Sequence, residues 1–173
     1  MGRKTIRFNL FDGSISNAIR ELENYKNKIT QQSEQLRDKV AERLAIESQK
    51  GFTGAMISDI VNGTSKYANV TVAVEKTGTT TLVIAKGGDA VWVEFGAGVY
   101  YNGSVGSSPH PKGTELGFTI GGYGYGQGKK NTWGFYEDGK LLLTRGAPAK
   151  MPMYNALKNA CDEINIIARE VFG

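Results

Sequence analysis

Ile15, Ile19, Leu22, Ile29, Leu36, Val40 and Leu44 follow one another at steps of three, four or seven. That spacing lines apolar side chains along one face of an α-helix. Asp12-Gly13-Ser14 supplies a candidate N-cap in Asp12 or Ser14, and Gly51 with the Phe52-Thr53-Gly54 run closes the segment. The pattern predicts a helix over residues 12–50. At 1.5 Å per residue such a helix extends for roughly 50 Å, longer than one small domain can cover. A chain of 173 residues fits a single domain, so part of this helix must project, bend or pack on a neighbour. Residues 5–11 alternate loosely and read as a short strand or an arm, and residues 55–61 read as a further helical turn.

From Val70 the period changes from about 3.6 to 2. Val70, Val72 and Val74 alternate with Thr71, Ala73 and Glu75, and residues 80–85 repeat the pattern after a Lys76-Thr77-Gly78-Thr79 turn. Lys86-Gly87-Gly88-Asp89 marks a second turn before Val91-Trp92-Val93-Glu94-Phe95. The reading is a three-strand meander over residues 68–95. A hairpin follows at 132–145 with Asp138-Gly139 at its turn. A C-terminal helix over 151–171 begins with Pro152 at its first position, and Met153, Leu157, Cys161, Ile164, Ala168 and Val171 form an apolar face expected to cover the sheet. The expected class is α+β: a long N-terminal and a C-terminal helix packed on a small, mainly antiparallel sheet, in one domain spanning 1–173.

Between meander and hairpin lies an excursion, residues 96–131, where glycine and tyrosine crowd together. It far exceeds the usual connection of about 4–6 residues. Its sequence "GGYGYGQGKK" invites a phosphate-loop reading, which fails on spacing. Counting back from Gly128-Lys129 puts Tyr123 where the first glycine belongs and Lys130 where a Ser or Thr should hold a metal. A dinucleotide fingerprint started at Gly122, Gly124 or Gly126 meets Gln127, Lys129 or Asn131 in place of its third glycine. No nucleotide cofactor is expected.

Other chemistry is sparse. His110, the single histidine, sits between Pro109 and Pro111 and reads as an exposed loop residue, without the several ligands a transition metal needs. Cys161, the single cysteine, reads as a small buried hydrophobe. A glycosidase would need two carboxyl groups across a cleft, and Glu94 with Glu115 or Glu137 are the candidates. Glu137 and Asp138 are already explained as turn residues, while Glu94 reads as a structural salt bridge or an intersubunit contact. A net charge of +4 spread diffusely along the chain reads as a solvated surface, with a nucleic-acid-binding module as the alternative. The N-terminus has no apolar stretch of secretory type, and the chain is expected in a reducing cytoplasm unless it leaves inside a particle.

Aromatic residues gather in the second half, interleaved with glycine. Trp92, Phe95, Tyr100, Tyr101, Tyr123 and Tyr125 are candidate interface residues, because Tyr and Trp cover large areas with few rotatable bonds. Lys129 and Lys130 beside them, with Glu94, complete the candidate set.

Three stretches together carry a resemblance. "AVWVEFGAGVYYNG" precedes the excursion with its "SSPHPKG", the aromatic hairpin "NTWGFYEDGKLLLTRG" follows, and "GAPAKMPMYNALKNA" opens the last helix. This resembles the tailed-phage neck and tail-completion (head–tail joining) proteins over most of the chain, with Met151-Pro152-Met153 where members often carry Pro-Phe. The resemblance implies a non-enzymatic virion protein, assembled in the host bacterial cytoplasm, that forms a ring of about six identical subunits matched to tail symmetry. Its implied neighbours are head-connector, collar or tail-tube proteins, with Lys129 and Lys130 meeting acidic partner residues or passing DNA.

Overall fold

The computed structural model describes residues 12–98, 108–113, 115–116 and 132–173. Helix α1 (Asp12–Phe52) is followed by strands β1 (Met56–Ser58) and β2 (Lys66–Tyr67), a hairpin of β3 (Thr71–Thr77) and β4 (Thr80–Lys86), and the short helix α2 (Ala90–Phe95). Strands β5 (Ala97–Gly98), β6 (Trp133–Glu137), β7 (Lys140–Thr144) and β8 (Gly146–Ala147) precede helix α3 (Pro152–Phe172). The class is α+β, with both long helices packed with small antiparallel sheets.

Helices α1 and α3 pack antiparallel. Gly51 meets Pro152 so closely that a Cβ there would lie 2.6 Å from the proline Cβ. Farther along, Asn159 donates to Glu47 (3.1 Å), Arg43 pairs with Glu163 (2.6 Å), Lys39 pairs with Glu170 (3.0 Å), and Gln32 donates to the carbonyl of Val171 (2.8 Å). Small residues permit the close approach over the first half of α3, where Pro152, Ala156 and Ala160 are buried, and Ile167 is buried farther along. With 21 residues against 41, α3 runs out near Gln32. The first 20 or so residues of α1, about 30 Å of helix, extend beyond it, and none from 13 to 31 is buried.

The β3–β4 hairpin lies along the same stretch of α1. At its base Gln49 donates to the carbonyl of Val70 (3.0 Å) and accepts from the amide of Val72 (2.7 Å). Toward its tip Lys76 donates to Asp38 (2.6 Å) and Arg37 to the carbonyl of Thr79 (2.8 Å). The Lys76 ammonium, with Arg37 adjoining, holds the Asp38 carboxyl below its ordinary value of 3.8. Phe52, Ala55, Val70 and Val93 form the core where hairpin, α1 and α2 converge, with Met153 packed against them.

The remaining strands make a curled sheet. Beyond β1 the chain pairs with β7 and β8 through Asp59 N–H to the carbonyl of Gly146 (2.7 Å) and Val61 N–H to that of Leu143 (2.7 Å). The Asn62 side chain extends the ladder, accepting from Leu143 N–H and donating to the carbonyl of Leu141. The β6–β7 turn has both central residues at positive φ, Asp138 at 50° and Gly139 at 72°, the type I′ geometry that suits a two-residue hairpin. Across the curl Lys66 on β2 pairs with Glu137 on β6.

Several expectations are corrected. Residues 91–95 form helix α2, so the meander has two strands. Helical spacing puts Ala90, Val93 and Glu94 on one inward face, with Val93 and Glu94 buried, and short apolar runs serve either structure. The expected turn at 55–61 holds β1 instead: Gly54 at φ 67° ends α1, and the backbone amides find sheet partners. The α3 stripe of Leu157, Cys161 and Ile164 does not cover a sheet. Leu157 and Ile164 are exposed, and so is Cys161, which is no buried hydrophobe.

Candidate interaction site at the base of the excursion

Helix α3 starts without a cap of its own. Met151 holds the N-cap position in the left-handed region, φ 53°, and offers no side-chain acceptor. Pro152 follows at the first position, where its missing N–H costs nothing. The next two amides, of Met153 and Tyr154, both donate to the carboxylate of Glu94, to Oε2 and Oε1 respectively, each at 2.9 Å. Glu94 thus caps α3 from another helix, and a negative charge there is also favoured by the helix dipole. The junction is tightened by amides of Lys150 and Met151 donating to the carbonyl of Val93 (2.9 and 3.4 Å).

The chain leaves α2 through Gly96, at φ 81°, where a Cβ would stand 2.9 Å from the Ala149 amide nitrogen. When it returns to the described residues at Ser108 it docks on this junction. The Ser108 hydroxyl donates to the carbonyl of Phe95 and accepts from the amide of His110 (3.2 Å). The imidazole lies 4.4 Å from the Phe95 ring and 5.3 Å, edge-on, from that of Tyr154. Its Nδ1 accepts from the amide of Lys112 (3.0 Å), and its Nε2 lies 3.3 Å from Glu94 Oε1. Gly113 closes the turn, its amide donating to the carbonyl of His110 (2.8 Å), with no room for a Cβ beside Ser108.

His110 is therefore buried, correcting the expectation of an exposed loop residue. Glu94 is buried too, and its contacts among the described residues are with α3 and His110 of the same chain. Both ring nitrogens and both carboxylate oxygens are engaged, and the Ser108 hydroxyl bonds to backbone. The arrangement holds one segment in place, clamping the middle of the 96–131 excursion to the helix junction. Of the other sequence candidates, Trp92 and Phe95 lie half-buried on α2, whereas Tyr100, Tyr101, Tyr123, Tyr125, Lys129 and Lys130 lie outside the described residues. Ser108, His110 and Tyr154 were missed as site residues. Pro-His-Pro followed by Gly113 was the available signal, a restricted backbone that presents one ring in one direction.

Among the described residues no group of three His, Cys, Asp or Glu could hold a metal ion, and no helix is long and apolar enough to cross a membrane. Many basic side chains are matched with acids, including Arg145 with Asp59 (3.2 Å) and Lys86 with Glu75 (2.5 Å). Comparison with protein-family models, with curated proteins and with solved structures finds no match to this chain.

Proposed function

We propose that this chain is a structural virion protein of a phage or phage-tail-like particle. It forms a ring at the neck or tail end that completes the tail and joins it to the head or collar. The observation that carries the reading is the projecting half of α1. About 30 Å of helix reaches past the end of α3 and presents Ile19, Leu22 and Tyr25 to solvent. An isolated helical segment of that length is marginal in water, so a subunit shaped this way gains stability when another molecule covers it. The resemblance of "VEFGAG", "SSPHPKG" and the Pro152 helix entry to head–tail joining proteins supplies the kind of assembly. The clamp at His110 supports it, since it fixes the root of a Gly- and Tyr-rich segment suited to contact a neighbour.

The test is to purify the full chain, measure its mass by sedimentation across a wide concentration range, and image it by negative-stain electron microscopy. The same chain is sought by mass spectrometry in particles from the host that encodes it. Closed rings, or a fixed copy number in particles, support the reading. A strict monomer absent from every particle overturns it.

A further inference from the structure

Among the described residues two apolar stripes lack a full cover, and their spacing matches. On the projecting half of α1, Ile15, Ile19, Leu22 and Ile29 advance by four, three and seven; on α3, Leu157, Cys161, Ile164 and Val171 advance by the same steps. Ile19, Leu22, Leu157 and Ile164 are exposed at 53, 57, 51 and 37%. Both stripes are 15 residues long from end to end, about 21 Å. Within one chain they cannot meet. Residues 152–171 of α3 lie beside residues 32–51 of α1, and the α1 stripe begins where α3 ends.

We propose that the projecting half of α1 in one copy packs along the exposed Leu157–Cys161–Ile164 stripe of α3 in the next copy. This rests on the ring reading above and names the joint that forms the ring. A contact between two different patches of the same chain repeats head to tail, and closes into a ring when its rotation divides a full turn. The occupant is a second copy on three grounds. The steps of four and three on both helices are those of interlocking helix pairs. The α1 stripe also continues, through Ile29 and Gln32, the face that packs on α3 within the chain, there against Pro152, Ala156 and Ala160, so a helix is what that face accepts. The charges at the stripes mix signs, with Glu23 beside the α1 stripe and Lys26 within it, four residues after Leu22 and three before Ile29, and with Lys158 bordering the α3 stripe and Asp162 and Arg169 beyond it. That suits another mixed-charge helix rather than a polyanion or an anionic lipid surface, which would call for a uniformly basic flank.

The experiment uses two exposed-site variants of the full chain, Leu22→Glu and Leu157→Glu, with helicity checked by circular dichroism. Each alone is expected to weaken self-association by at least about tenfold, while their mixture forms one-to-one dimers through the one intact pair of patches. In parallel, Ile19→Cys or Leu22→Cys is expected to crosslink under mild oxidation to the native Cys161 of another molecule, giving a ladder on a denaturing gel. Asn24→Cys, on the opposite side of α1, gives none. Rings that persist in both Glu variants, or a Leu22→Glu and Leu157→Glu mixture that stays monomeric beside an assembling wild type, overturn this joint and leave the ring reading standing. A wild-type chain that is monomeric at near-millimolar concentration, gives no ladder and enters no particle overturns both.

Discussion

Replacing Glu94 tests whether the α2–α3 junction is held as described. The carboxylate accepts two helix-terminal amides at 2.9 Å each and faces the His110 ring at 3.3 Å, all in a buried setting. A hydrogen bond to a charged group is worth about 1.5–3 kcal/mol net, and a buried donor left without an acceptor costs about 1–3 kcal/mol. In Glu94→Gln one amide keeps an acceptor while the other meets an NH₂ group, a loss of about 1–3 kcal/mol. In Glu94→Ala both amides lose their acceptor and the His110 ring loses its carboxylate neighbour, and the loss rises to about 3–5 kcal/mol. For a chain of this size that lowers Tm by roughly 6–20 °C. The assay is urea denaturation followed by circular dichroism, with an unchanged m-value as the sign that folded and unfolded states are otherwise alike. Hydrogen exchange adds a local readout, with the amides of Met153 and Tyr154 losing protection in Glu94→Ala before the centre of α3 does. As a control, Glu75→Ala removes an exposed partner of Lys86 and shifts stability by less than about 1 kcal/mol. A Glu94→Ala chain within about 0.5 kcal/mol of wild type, with both amides still protected, refutes the capping argument.

Gly51→Ala gains helix propensity but drives a Cβ to 2.6 Å from that of Pro152. The clash wins, and calorimetry should show a net loss of about 1–3 kcal/mol. His110→Ala deletes the ring that Glu94, Phe95 and Tyr154 enclose, and in a cycle with Glu94→Gln the two losses should fall short of additivity by at least about 0.5 kcal/mol; additive losses sever the link. Gly139→Ala forces a side chain into a residue held at φ 72° and should destabilise by about 1 kcal/mol in thermal melts, whereas no change would disprove the type I′ turn. The depressed Asp38 carboxyl contributes stability that is fully present above its ordinary value of 3.8 and is lost as the pH falls through the lower folded value. Asp38→Asn should therefore lower stability near neutrality and flatten the acid limb of a stability–pH curve, so that the two chains converge at low pH, and an unaltered acid limb counts against the Lys76 pairing.

Legibility followed the range of the interactions. The long helix, the C-terminal helix with Pro152 at its start and the Asp138-Gly139 hairpin were readable because local periodicity, a restricted φ and a positive-φ turn each leave a mark within a few residues. Residues 91–95 misled because five alternating residues satisfy a strand and a single helical turn equally. What decides between them is the start of α3, some 60 residues away, which needs the Glu94 carboxylate. The buried His110 was illegible for the same reason, since its three ring-level partners come from α2, α3 and its own turn. On the first half of α3, size rather than hydrophobicity chose the packed face. The close approach at Gly51 admits Pro152, Ala156 and Ala160 against α1, and the bulkier Leu157 and Ile164 turn outward although they look like core.

The clamp and the exposed stripes are mechanically linked. Residues on α3 are separated by 100° of rotation, so turning the helix by a single residue would exchange the Ala156–Ala160 face for the Leu157–Cys161 face. Small side chains alone give weak resistance to such a turn. The bidentate hold of Glu94 on the amides of Met153 and Tyr154 fixes the rotation at one end, and Gln32 on the Val171 carbonyl fixes it at the other. A Glu94→Gln chain, which stays folded on the estimate above, should consequently associate less tightly than wild type although Glu94 is buried within its own chain. The measurement is self-association at a temperature well below both unfolding transitions. Unchanged association alongside a lowered Tm would show that the stripe keeps its orientation without the clamp, and that the junction serves stability alone.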